Sequence, residues 1–101
     1  MNQANNIEIY QQCFHKGHDF QPNVAYRVAE LIQENNRDNR ENAIRESIQY
    51  MNDNEGIVGF SFNNHTNRPW FHHTIEDTRI YREGNIEYPR MWEWHDLYIK
   101  K

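Results

Sequence analysis

A chain of 101 residues has room for one domain around one core. A single cysteine, Cys13, excludes an internal disulfide, and no run of about 18 apolar residues exists to span a bilayer. The net charge of -4 provides no basic footprint for nucleic acid, and it is too small an excess for a nucleic-acid mimic built on acidic surface.

Only 37% of residues are apolar while 14% are aromatic, so the core must rest on a few large rings. The mean hydropathy of -1.14 is low enough for disorder, but disorder couples low hydropathy to high charge, which this chain lacks. A folded domain is therefore expected. The free thiol and the polar, uncharged stretch Met1–Asn6, with no apolar leader behind it, make the cytoplasm the expected location. Asparagine recurs in pairs at Asn5-Asn6, Asn35-Asn36 and Asn63-Asn64. As composition alone, that bias suits an AT-rich genome such as that of a phage or mobile element.

The stretch Ile7–His15 fits a strand or a short helix, with Gly17 as the cap if helical. From Pro22, Val24, Val28, Leu31 and Ile32 recur at helical spacing, with Ala25 and Ala29 widening the face. Asn35-Asn36-Arg37 ends that helix. A second begins at Asp38 or Asn39, with Glu41 placed for a capping box on Asp38 and for a pair with Arg45. Ile44, Ile48 and Met51 carry its apolar face until Asn52–Gly56 stops it. The two form an αα-hairpin over about 22–52.

Strand character follows. Val58, Phe60 and Phe62 alternate with Gly59 and Ser61, and a polar loop is expected over Asn63–Pro69. Trp70–Glu76 is the next strand, with Phe71 and His73 on one face and Trp70 and His72 on the other. Gly84-Asn85, between Arg79–Glu83 and Ile86–Arg90, has the pattern of a two-residue hairpin turn. Its register sets Tyr81 opposite Tyr88 and Arg82 opposite Glu87. Met91–Ile99 reads as a last strand on its aromatic content. The fold class expected is α+β, with N-terminal helices packed on a C-terminal antiparallel sheet of three to four strands.

Several chemistries can be weighed on residue types. Cys13, His15 and His18 lie close in sequence, and His72-His73 form a second group. Imidazole and thiolate are zinc ligands, so His15, His18, His72 and His73 are the alternative metal set, although adjacent strand residues face opposite ways. His65, Asn67, His72 and His73 near Glu76 and Asp77 have the residue types of a metal-dependent nuclease without its spacing. Cys13 lacks a flanking signature for a nucleophile. The glycines are dispersed, which removes a phosphate loop. Arg40, Arg45, Glu41 and Glu46 balance on the second helix, where a groove-reading helix is net basic. No cofactor is expected.

Trp, Tyr and Arg dominate interface hot spots, and they gather near the C-terminus. Tyr88, Arg90, Trp92 and Trp94 are the candidate anchors, with Trp92 and Trp94 on one face of a strand. Glu87, Glu93 and Asp96 are the candidate acidic rim. The expected function is that of a small acidic protein-binding module that inhibits another macromolecule by covering its surface. A phage or mobile-element counter-defence protein and a toxin-immunity protein are the two expected kinds. Its expected partner is a protein with a basic surface, such as a nucleic-acid-binding enzyme, with neither nucleic acid nor membrane bound directly. A homodimer seam is a further use for the same patch. The rival classes are a metal-dependent enzyme using the histidines and a viral structural or assembly protein.

Overall fold

A computed structural model of the chain describes residues 7–13, 23–73 and 90–101. The described elements are strand β1 (Ile7–Tyr10), helices α1 (Asn23–Asn35) and α2 (Arg40–Asp53), strands β2 (Gly59–Asn63) and β3 (Arg68–His72), a 3-10 turn (Met91–Trp94) and strand β4 (His95–Lys100). The strands form one antiparallel sheet in the order β1-β4-β2-β3. This is the α+β arrangement expected, and the ambiguous N-terminal stretch resolves as a strand. The hairpin at Gly84-Asn85, with Glu87 and Tyr88, lies outside the described residues, as do His15, Gly17, His18 and Pro22.

Aromatic side chains carry the core. Phe60 pairs with Tyr98 on β4 and with Phe71 on β3, so all three rings project to the helix side of the sheet. Phe60 stacks on Tyr98 with centroids 4.7 Å apart and meets Phe71 edge-on at 5.8 Å. Tyr50 of α2 closes on Phe71 at 4.8 Å. One ring-to-ring path thus crosses three strands and reaches a helix, with geometries that favour aromatic pairs.

Helix α1 turns a different face inward than its strongest apolar residues suggest. Ala25, Ala29 and Ile32 are buried, whereas Val24 is 68% and Leu31 55% exposed. Small residues let a helix lie close to its neighbours, and Val24 or Leu31 at those positions would hold it off. Arg68 of β3 fastens α1 from the side, with its guanidinium 4.7 Å above the Tyr26 ring and Nη1 donating to Gln33 Oε1 at 3.1 Å.

Helix α2 is capped by Asn39, whose Oδ1 accepts from the Asn42 amide at 3.0 Å. The expected Asp38–Glu41 box is therefore displaced by one residue. Arg45 reaches Asn42 Oδ1 at 2.9 Å instead of Glu41. Ala43, Ser47 and Met51 form the buried row, flanked by Ile44 and Ile48. At the other end Asn54 caps the helix, its side chain donating to Tyr50 O at 2.8 Å.

Candidate functional site

The loop expected over Asn63–Pro69 is a tight turn of four residues, because β3 already starts at Arg68. Asparagine chemistry closes it. Asn63 Oδ1 accepts from the His65 amide at 2.9 Å and from the Thr66 amide at 3.3 Å, an Asx turn. Asn67 sits at φ 58, a left-handed conformation that asparagine tolerates, and its amide returns to Asn63 O at 2.8 Å. Its side chain is buried and donates to the carbonyls of Asn36 and Arg37 at 2.8 and 3.1 Å. The turn is thereby tied to the α1–α2 connection. Asn36 extends the network, donating to Ile32 O at 2.9 Å and to Glu46 Oε2 at 2.7 Å.

The 3-10 turn lies at the same end. Trp92 and Trp94 belong to this turn and not to a strand, so they do not share an alternating strand face as expected. Strand β2 ends at Asn63 opposite His95, and ahead of Trp94, whose carbonyl still takes the Asn64 amide, the chain has no β2 backbone to pair with. It closes its own bond instead, Glu93 N to Arg90 O at 3.0 Å. Trp94 O accepts the Asn64 amide at 2.8 Å, and the Trp94 ring lies 5.0 Å from that of His65. Trp92, Glu93 and Trp94 are half-buried and Arg90 is exposed. Arg90 Nη2 donates to Glu93 Oε1 at 2.5 Å.

Asp96 is the hub beneath this surface. It is only 7% exposed, and its oxygens accept from three separate elements. Oδ1 takes the Gln12 amide at 3.0 Å, while Oδ2 takes Asn64 Nδ2 at 3.1 Å and Arg40 Nη2 at 3.2 Å. Arg40 Nε donates in turn to Asn64 Oδ1 at 2.7 Å. Gln12 is held at φ 53, and Cys13 N donates to His95 O at 2.9 Å. One carboxylate thus joins the end of β1, the β2–β3 turn, the start of α2 and the start of β4. Its charge is turned inward to these donors, while Glu93 is neutralised by Arg90.

Tyr98 lies next to this hub. Burial pushes its phenol above the ordinary range, against the opposite pull of the Arg40 guanidinium. The folded state therefore holds this proton more tightly than the unfolded chain. The resulting stability is complete below the unfolded value near 10.0 and is lost as pH rises through the higher folded value. The denaturation midpoint of wild type is expected to fall above about pH 10, and Tyr98→Phe is expected to flatten that fall. An alkaline limb equally steep in both proteins would contradict the assignment.

The structure brings together four of the seven proposed partner residues, Arg90, Trp92, Glu93 and Trp94, at the surface, with Asp96 below them. Among the proposed metal ligands, His72 Nε2 shares a hydrogen bond with Ser61 Oγ at 2.7 Å, both buried. His73 Nδ1 meets Gly56 O at 3.1 Å. Of the nuclease set, His65 lies beside Trp94 and Asn67 under the helix connection, while Glu76 and Asp77 lie outside the described residues. Among the described residues no three His, Cys, Asp or Glu side chains converge as metal ligands. None of the described helices is long and apolar enough to cross a membrane. Gln12, Asn36 and Asn64 were not singled out as site residues from sequence, and Asn67 and Arg40 were weighed only for a nuclease set and a groove-reading helix. The signal that could have located the turn is the asparagine spacing Asn63-x-x-x-Asn67. No family model, no curated protein and no solved structure matches the chain.

Proposed function

We propose that this chain is a protein-binding module that inhibits another macromolecule by covering its surface, of the counter-defence or toxin-immunity kind. The observation that carries the reading is the cluster of Trp92, Trp94, His65 and Arg90 at one end of the sheet. Half-buried tryptophans with an arginine beside them are the residue types that anchor interfaces, because they bury large area with few rotatable bonds. The Asp96 hub and the asparagine bonds hold the turns that present them, which lowers the ordering cost of association. Tyr88 and Glu87 belong to the same proposed patch by sequence. Since Glu93 and Asp96 already have arginine partners, complementarity to a basic partner rests here on exchange of those pairs. A buried Cys13 thiol outside any disulfide suits a reducing compartment, in keeping with a cytoplasmic location.

Affinity capture from cells of the source organism tests this, with Trp94→Ala and Glu93→Lys beside wild type and circular dichroism as the folding control. One stoichiometric partner, retained by wild type and lost from both folded variants, is the expected result. A partner indifferent to both substitutions, or no partner, contradicts the reading.

A further inference from the structure

The α1–α2 hairpin has a second surface, on its outer side and separate from the turns at the sheet end. Val24, Val28 and Leu31 stand at i, i+4 and i+7 on α1, the spacing of a seam between helices. Val24 and Leu31 are exposed, at 68% and 55%, and Val28 is partly buried against the core, although the inward face of α1 is already supplied by Ala25, Ala29 and Ile32. A helix with two apolar faces has a use for two neighbours. Beside the seam runs a groove of about 260 Å³ lined by Val28, Ile32, Glu46, Gln49, Tyr50 and Asp53. Its α1 wall, Val28 and Ile32, is apolar. Its α2 wall carries the carboxylates of Glu46 and Asp53, two turns apart.

Those carboxylates accept only from amides. Glu46 Oε2 takes Asn36 Nδ2 and Asn42 Nδ2 at 2.7 and 2.9 Å, and both Asp53 oxygens take Gln49 Nε2 at 3.0 Å. Among the described residues neither has a lysine or arginine partner. The groove therefore joins an apolar seam of helical period to an acidic row without a cation, on a chain of net charge -4. We propose that it docks a basic amphipathic helix of a protein partner, apolar side chains on Val24, Val28 and Leu31 and Lys or Arg on Glu46 and Asp53. A second copy of this chain is disfavoured as occupant because it brings the same surplus of negative charge.

The probe is a synthetic amphipathic peptide of about 18 residues, long enough to hold a helix, with leucine at the seam spacing and lysine on its flanks. A second peptide carries glutamate in place of lysine. Both are titrated into the nitrogen-labelled full chain and followed by amide chemical shifts. The basic peptide is expected to move the amides of Val24, Val28, Leu31, Gln49 and Asp53 and leave His65 and Trp94 unmoved. Leu31→Asp and Asp53→Lys, both at exposed positions, are each expected to weaken it by about tenfold. Trp94→Ala is expected to leave it unchanged, which separates this groove from the tryptophan turn. Shifts confined to the sheet end, equal binding of the acidic peptide, or indifference to both groove variants would overturn the proposal. So would a concentration-dependent dimer that Leu31→Asp dissociates, since the occupant would then be a second copy.

Discussion

Phe60→Ala is expected to remove about 3–5 kcal/mol of stability, the cost of emptying a fully buried aromatic site. Phe60 has no exposed surface and sits between Tyr98 and Phe71, each its direct cross-strand partner. Alanine there leaves a void against both rings. The backbone cannot collapse into the space, because β2 is bonded on both sides. A domain of this size has a total of about 5–15 kcal/mol, so the variant should lie near the edge of folding. Urea denaturation measures it as a large fall in midpoint with the slope preserved. Phe60→Leu should cost much less, about 1–2 kcal/mol, because most of the volume remains. A loss below about 1 kcal/mol for alanine would mean that the ring path does not organise the core.

Asp96→Ala is expected to cost about 3 kcal/mol, through a different mechanism. The substitution leaves the Gln12 amide, Asn64 Nδ2 and Arg40 Nη2 without their common acceptor. The Gln12 bond also helps hold its residue at a positive φ of 53. Arg40 contributes less, its side chain being 47% exposed and able to turn to water. Asp96→Asn keeps one acceptor but sets a donor against other donors, so it should recover only part of the loss. Pairing Asp96→Ala with Arg40→Ala should destabilise by clearly less than the sum, as expected for groups that share a bond. Strict additivity, or a loss under about 1 kcal/mol, would show that the carboxylate is not the hub of this end.

Local periodicity disclosed the hairpin of helices, since Ile44, Ile48 and Met51 on α2 repeat where a helix must bury them. It disclosed β2 as well, where two phenylalanines alternate with small residues. It did not disclose which side of α1 faces the sheet. Val24 and Leu31 outrank Ala25 and Ala29 in hydrophobicity, yet close packing selects for size, and the alanines took the inner face. The placement of Trp92 and Trp94 was hidden for a non-local reason. Whether that stretch forms a strand depends on where β2 ends, and β2 ends opposite His95.

The site itself was half legible. Arg90, Trp92, Glu93 and Trp94 are contiguous, so residue type was enough to find them. Asp96 read as a surface charge because its donors come from Gln12, Arg40 and Asn64, all distant in sequence. The asparagines read as compositional bias. In the structure Asn36, Asn39, Asn42, Asn54, Asn63, Asn64 and Asn67 cap helices, close turns and join loops. A carboxamide both donates and accepts, which lets a polar chain with few aliphatic residues fix its connections.

The most direct test of the binding reading is a hydrogen-exchange footprint of the full chain, alone and with the partner that wild type captures. Slowed exchange confined to residues 64–67 and 90–95 is the expected outcome, absent when Trp94→Ala replaces wild type. Protection elsewhere on the chain, with both of those segments unchanged on partner binding, would contradict the account.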